Sequence, residues 1–169
     1  MGTLIGLNRH DVDRIVSQSG EELEITNQNS PYAFVISGDY TQVMRALEAA
    51  REEGALHTRQ LNVNTPYHAG FLHEAALEFE KTVSGIAFTA PSCKILSVID
   101  AQELKNIDSL KQELVNNLFH HLNWYNTLTV LLDKGVETLI ECGPSKGLIK
   151  NGRFVEGKFR FLALDSVIG

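Results

Sequence analysis

Histidine is the residue type in this chain best placed to move a proton in a reaction. Two pairs of histidines lie close in sequence: His68 and His73 are five positions apart, and His120 and His121 are adjacent. Neither spacing brings two imidazoles to one helix face as well as a four-residue spacing does. We therefore expect no metal site. The residues alone leave open that His68 only caps a helix following Pro66.

The sequence contains no complete set of catalytic motifs. It has no GxSxG nucleophile turn, no Gly-rich phosphate loop and no HExxH pair. Cys93 and Cys142 form neither a CxxC motif nor a disulfide framework, so we expect reduced structural thiols. A nucleophilic cysteine would need a nearby base, and the sequence shows none.

Composition and charge exclude several classes of protein. The 169 residues are 43% hydrophobic and 21% charged, which is typical of a globular chain. The net charge of −6 comes from 21 acidic and 15 basic residues, so a basic nucleic-acid footprint is absent. Apolar runs such as 127–132 are far shorter than the roughly 20 residues of a membrane span, and residues 1–10 show no secretory signal. We expect a cytoplasmic protein that binds neither nucleic acid nor membrane.

Residues 1–65 show the pattern of strand, helix, strand, strand, helix, strand. The hydrophobic spacing predicts strands over 3–7, 22–27, 32–37 and 56–63, and helices over 11–18 and 40–53. Asn29, Ser30 and Pro31 supply turn chemistry between the middle two strands, which predicts a hairpin. This order is typical of a ferredoxin-like βαββαβ subdomain.

Residues 66–169 change to an α/β pattern. We predict helices over 69–83, 109–119 and 126–134, a short helix over 144–149, and strands over 94–99, 137–141 and 159–164. The first helix should bury a stripe of Leu72, Ala76, Phe79 and Val83. Three apolar strands separated by helices indicate part of a parallel sheet.

Five segments, spread over nearly the whole chain, match one family in the right order. They are MGTLIGL at 1–7, NQNSPYAFVISG at 27–38, LNVNTPYHAGFL at 61–72, NLFHHLNW at 117–124 and ECGPSKGL at 141–148. Together they resemble the C-terminal part of the malonyl-CoA:acyl-carrier-protein transacylases. The resemblance implies that residues 66–169 form the C-terminal part of an α/β-hydrolase-like acyltransferase subdomain.

The resemblance also implies roles for particular residues. His68 would be the general base that takes a proton from a serine hydroxyl, with its ring oriented by the main-chain carbonyl of Asn123. Tyr67 resembles the aromatic residue found there in many malonyl-selective acyltransferases. Asn29 and Ser30 belong to the subdomain that walls one side of the acyl pocket, although their types suit turn formation better than ligand binding.

The family's serine, in a GHSxG turn, has no counterpart in these residues, and neither have its glutamine and arginine. His68 without a nucleophile cannot run the reaction, so we expect a separate N-terminal half carrying GHSxG, or self-association. With that complement, malonyl would pass from CoA to the serine and then to a carrier-protein phosphopantetheine thiol, in fatty acid or polyketide synthesis. The resemblance implies malonyl-CoA as substrate and no metal or redox cofactor. Two alternatives remain: an acyl-carrier-protein acyl hydrolase of the same fold, and a non-catalytic module that binds carrier protein or CoA.

Overall fold

The N-terminal part of the chain alternates strands and helices in short units. A computed structural model describes residues 1–143, 146–152, 154–157 and 159–167. Its first six elements are β1 (Gly2–Ile5), α1 (Arg9–Ser19), β2 (Leu23–Ser30), β3 (Ala33–Gly38), α2 (Tyr40–Glu52) and β4 (His57–Gln60). Both helices begin at a side-chain cap, because Asn8 accepts from the backbone N–H of Asp11 and Asp39 accepts from that of Gln42.

The remaining elements are mostly helical. They are α3 (His73–Ser84), α4 (Ile107–Asn116), β5 (Leu122–Asn123), α5 (Trp124–Asp133), β6 (Thr138–Glu141), α6 (Gly147–Gly152) and β7 (Arg160–Ala163). A 3-10 turn, Gly70–Leu72, precedes α3, and another, Leu164–Ser166, follows β7. Within the described ranges, no helix has the length and apolar character needed to cross a bilayer.

The strands form one mixed sheet and one small parallel pair. The larger sheet has the order β4-β1-β3-β2-β5, in which β1 is antiparallel to both β4 and β3, and β2 is antiparallel to β3. β5 adds to β2 in parallel, so a segment from the second half of the chain extends the sheet of the first half. β6 and β7 pair in parallel. The expected mixed α/β fold class is confirmed.

One core holds the first sheet against α1 and α2. The fully buried side chains of Leu4, Phe34 and Ile36 on the sheet face Val12, Ile15 and Val43 of the helices, within a cluster of eleven buried residues. The second cluster in the described residues has three buried members, Ala76, Val83 and Val115, where α3 packs on α4. The first part of the chain therefore completes its own core far better than the second does.

A predicted strand and a predicted buried side chain in the second part of the chain differ from the structure. Residues 94–99 are not a strand: Leu96 makes an isolated bridge to Glu103, and the Ser97 hydroxyl accepts from the backbone N–H groups of Ile99 and Asp100, which turns the chain back. Phe79 is 38% exposed rather than buried in the α3 stripe.

The predicted turn at 29–31 is also displaced. Asn29 and Ser30 belong to β2, because its pairing with β3 continues to Ser30 opposite Ala33. Ser30 nevertheless helps to close the hairpin, since its hydroxyl accepts from the backbone N–H of Tyr32 at 3.2 Å. The loop between β2 and β3 is therefore shorter than the sequence indicates.

Candidate active site

His68 lies in an unusual backbone conformation between β4 and α3. Its φ angle is +63°, in the left-handed region that few residues other than glycine adopt. Two hydrogen bonds hold it there: the backbone N–H donates to the carbonyl of Leu118 at 2.8 Å, and ring Nδ1 lies 2.6 Å from the carbonyl oxygen of Asn117. The side chain is half-buried. Ring and backbone are thus fixed by consecutive carbonyls of one segment.

These carbonyls are available because α4 ends at Asn116. The last carbonyls of a helix have no partner within it, and those immediately beyond are equally free. The N–H of Asn117 still bonds back to Glu113, while its carbonyl and that of Leu118 turn to His68. A helix C-terminus also favours positive charge nearby, which suits a ring that gains a proton.

The Asn117 bond determines the tautomer of His68. A carbonyl oxygen only accepts hydrogen bonds, so Nδ1 must carry the hydrogen. In the neutral ring, Nε2 is then the nitrogen with a free lone pair. The arrangement can therefore accept a proton at Nε2 and return it, which is the chemistry of a general base and acid.

The prediction that Asn123 supplies the orienting carbonyl is wrong. The carbonyl of Asn123 accepts from the Thr127 hydroxyl at 3.1 Å, and its side chain caps α5 by accepting from the N–H of Asn126 at 3.0 Å. Its own N–H donates to Val98 at 2.8 Å. Asn123 is therefore the N-cap of α5, and it lies six positions after Asn117, the residue whose carbonyl contacts His68.

Strand β2 fixes the segments on both sides of this contact. The Glu24 carboxylate accepts the backbone N–H of Gly70 at 3.1 Å, two residues after His68. The next residue, Ile25, accepts from Nδ1 of His121 at 3.0 Å. Sequence reasoning missed Glu24, Asn117 and the contact of His121. For Asn117, the available signal was its position at the start of the NLFHHLNW segment.

The predicted pocket residues are Tyr67, next to His68 in sequence, and Asn29 and Ser30 in β2. Tyr67 is 43% exposed, and its ring centroid is 6.1 Å from that of His68. Asn29 is half-buried and Ser30 is buried, both at the end of β2. No hydrogen bond in the described part of the chain joins either of them to His68. Of the three predicted pocket residues, Tyr67 has a ring contact with His68.

In the segment ECGPSKGL at 141–148, the side chain of Glu141 accepts hydrogen bonds from the backbone of α6. The Glu141 carboxylate at the end of β6 accepts from the backbone N–H groups of Leu148 and Ile149, at 3.3 and 3.0 Å. Pro144 and Ser145 of the same motif, where the short helix over 144–149 was expected to begin, lie outside the described residues. α6 instead covers Gly147–Gly152. The glutamate thus holds the strand and the helix together.

The two thiols are not packed inside the protein. Cys93 and Cys142 are both free and exposed, so neither serves as a buried structural side chain. Across the described ranges, no group of three or more histidine, cysteine or acidic residues is arranged to hold a metal ion. The histidine at position 68 remains the group with a geometry suited to proton transfer.

Comparison with known proteins gives a consistent result. No protein-family model matches the chain. A malonyl CoA-acyl carrier protein transacylase of Escherichia coli strain K12 is 29% identical over 150 residues, covering 88% of this chain and 48% of the relative. The transacylase structure from Coxiella burnetii has a TM-score of 0.91 at 25% identity, over 98% of this chain and 53% of that one.

A further solved structure contains a partner. It is a malonyl-transacylase in complex with its type II polyketide-synthase acyl-carrier protein, with a TM-score of 0.91 at 26% identity, covering 98% of this chain and 54% of that one. The chain spans about half the length of the curated relatives it matches.

Both the sequence and the fold of this chain are similar to the C-terminal half of malonyl CoA-acyl carrier protein transacylases. The Asn117 carbonyl contacts the His68 ring, and the backbone matches the Coxiella burnetii structure over 98% of this chain. The resemblance to the malonyl-CoA:acyl-carrier-protein transacylases is confirmed, and the half-length coverage fits their C-terminal part.

Proposed function

We propose that this chain supplies the proton-transfer half of a malonyl-CoA:acyl-carrier-protein transacylase. The observation that carries the proposal is the bond from Nδ1 of His68 to the Asn117 carbonyl, which leaves Nε2 as the basic nitrogen. The reaction would use malonyl-CoA and a carrier protein in fatty acid or polyketide synthesis, as the names of the relatives suggest. It needs no metal or redox cofactor.

The chemistry has two matched steps. A serine hydroxyl attacks the thioester carbonyl of malonyl-CoA while its proton passes to Nε2 of His68. The C–S bond breaks, and the same proton leaves with the CoA thiolate to give free thiol and a malonyl-serine ester. The carrier's phosphopantetheine thiol then gives its proton to Nε2 and attacks the ester, and the serine oxygen recovers the proton as it leaves.

The serine would come from an N-terminal half with the GHSxG turn. Two features of the second part of the chain support a missing neighbour. It exposes several large apolar side chains, and Leu77, Leu114, Ile140 and Leu148 are each between 42 and 47% exposed. The parallel pair β6 and β7 is also too small for the buried sheets in which parallel strands normally occur. Self-association of this chain is the other way to cover these surfaces.

The same proposal assigns the two parts of the chain. Residues 1–65 would form a ferredoxin-like small subdomain, which the order β4-β1-β3-β2 with two helices on one face supports. Residues 66–169 would form the C-terminal part of the large, α/β-hydrolase-like subdomain. The substrate would bind between them, with Tyr67 beside His68, and with Asn29 and Ser30 further along β2. A cytoplasmic location suits CoA thioester chemistry.

Intact-mass measurement after exposure to malonyl-CoA tests the proposal. The chain is measured alone and with a supplied N-terminal half bearing GHSxG. We expect a malonyl adduct on the added half, at a rate that falls strongly with His68→Gln. The matched control is His10→Gln, because His10 is 89% exposed in its side chain and lies in α1. With the His10→Gln variant, the added half should acquire the malonyl adduct at the wild-type rate.

Other outcomes decide against the proposal. A malonyl adduct on this chain by itself would contradict the proposal. An adduct on the added half that forms at the same rate with His68→Gln would also contradict it. Release of free malonate in place of transfer to carrier-protein thiol would instead indicate an acyl hydrolase. Binding of carrier protein without any adduct, unchanged in His68→Gln, would indicate a non-catalytic module.

A further inference from the structure

His121 makes a contact that the proposed reaction does not use. Its ring Nδ1 is 3.0 Å from the carbonyl oxygen of Ile25 in β2. Because that oxygen only accepts, Nδ1 carries the hydrogen and the neutral ring leaves Nε2 without one. Nε2 is buried and has no hydrogen-bond partner among the described residues. The environment of His121 therefore suits a neutral ring, whose Nδ1–H donates to the Ile25 carbonyl.

The contact lies in the same short turn that holds His68. Residues 117–123 connect α4 to α5 and contain the two carbonyls that fix His68, those of Asn117 and Leu118. At the other end of the turn, Leu122 pairs with Asn27 as β5 joins β2. β5 is only two residues long, and beside it the ring of His121 adds a side-chain hydrogen bond between the turn and β2.

We propose that His121 is a positioning residue, whose neutral ring ties the 117–123 turn to β2 and thereby keeps the Asn117 carbonyl in place for His68. The role rests on the proposed function of His68, but its structural consequence exists without substrate. Loss of the tie would free the turn to move, and the Nδ1 hydrogen of His68 would lose a fixed acceptor.

The surroundings keep the His121 ring neutral. Burial is the main cause that lowers the pKa of His121, and the positive charge of Arg9 lowers it further. The Ile25 carbonyl and the carboxylate of Asp13 act in the opposite direction. Arg9 and Asp13 both belong to α1 and pair with each other at 2.9 Å, and their charges act on the pKa of His121 in opposite directions.

Acid should therefore loosen the turn. A histidine whose pKa is lower in the folded protein binds protons more readily when unfolded, so it destabilises the fold as pH drops below about 6.5. The added proton would sit on Nε2, where the described residues offer no acceptor. No such loss is expected above that pH, where the ring is neutral in both states.

Two variants separate the hydrogen bond from the titration. His121→Asn can present an amide N–H near the position of Nδ1 but cannot titrate, whereas His121→Leu removes the donor. NMR of the uniformly labelled chain reports the His68 ring directly. We expect the His68 Hδ1 resonance at neutral pH in wild type and His121→Asn, and its loss in His121→Leu. An unchanged resonance in His121→Leu overturns the proposal.

The pH dependence gives a second measurement, which decides the matter if the leucine variant does not fold. The His68 resonance of wild type should respond to acid with an extra midpoint that matches the titration of His121. In His121→Asn this midpoint should disappear. Identical profiles in the two proteins overturn the proposal. Neither measurement uses malonyl-CoA, so failure here is distinct from failure of the transacylase proposal.

Discussion

The carboxylate of Glu24 accepts a hydrogen bond from the backbone N–H of Gly70 over 3.1 Å, which joins β2 to the segment carrying His68. We predict that Glu24→Ala costs about 0.5–1.5 kcal/mol, the usual worth of one hydrogen bond. Hydrogen exchange at the Gly70 amide should accelerate. The control is Glu21→Ala, which removes an exposed carboxylate from the loop before β2. Unchanged protection of Gly70 in Glu24→Ala would show that other contacts hold the segment.

The left-handed backbone at His68 predicts an inverted preference between alanine and glycine. At φ +63° an alanine suffers the steric conflict of its Cβ, which costs about 1–2 kcal/mol, and glycine does not. His68→Gly should therefore be more stable than His68→Ala by about 1 kcal/mol in urea unfolding. At ordinary positions glycine is the less stable of the two. Equal stability, or an advantage for alanine, would contradict the conformation described here.

Phe34 is the largest fully buried side chain in the core, with no exposure to solvent. We predict that Phe34→Ala destabilises the chain by about 3–5 kcal/mol, since it removes the aromatic ring and leaves a cavity between the sheet and the two helices. Chemical denaturation measures the loss. Leu56→Ala is the matched control, because Leu56 is 84% exposed and should change stability by less than about 0.5 kcal/mol. A small loss for Phe34→Ala would argue against this core.

An ion pair between the two helices of the first part should give stability that depends on pH. The hydrogen bond from Arg14 is the main cause that lowers the pKa of Glu53. A carboxyl with a lowered pKa stabilises the fold above the ordinary value of about 4.3 and loses this contribution as pH falls below it. Melting temperatures of wild type and Glu53→Gln should differ at pH 6 and converge in acid.

Glu52→Gln is the control for this experiment, since Glu52 is exposed and neighbours the pair in sequence. It should melt like wild type across the range. High salt should also reduce the difference between wild type and Glu53→Gln, because both charges are at the surface. A difference that persists unchanged in acid would mean that packing, not charge, is lost in the variant.

Hydrophobic pattern predicted β1, β2, β3, α1 and α2 because this chain buries their apolar faces itself. Leu4 and Phe34 have their partners in α1 and α2, so local periodicity and final burial agree. After residue 66 the agreement weakens. The apolar residues at 94–99 have the composition of a strand, but no strand of the described chain lies beside them to pair over their length. Phe79 similarly lacks a surface to cover it.

The orienting carbonyl was missed for a different reason. The predicted helix over 109–119 runs three residues beyond the observed end of α4 at Asn116. The family resemblance assigns this carbonyl to Asn123 within NLFHHLNW, whereas the structure places the carbonyl of Asn117 beside the His68 ring. The end of a helix is weakly encoded in local sequence. The histidine itself could be identified from its flanking motif, but the carbonyl that orients it lies just beyond the end of α4, which the motif does not specify.

Because Glu24 and Ile25 are adjacent in β2, the register of β2 against β3 during folding decides both of their contacts at once. Side chains alternate between the two faces of a strand, so a slip of β2 by a single residue against β3 would reverse the face of each one. Glu24 would then point away from Gly70, and the carbonyl offered to His121 would change at the same moment. A molecule with a misaligned hairpin would therefore lose both contacts, so correct strand alignment and the proposed proton-transfer geometry of His68 would arise together.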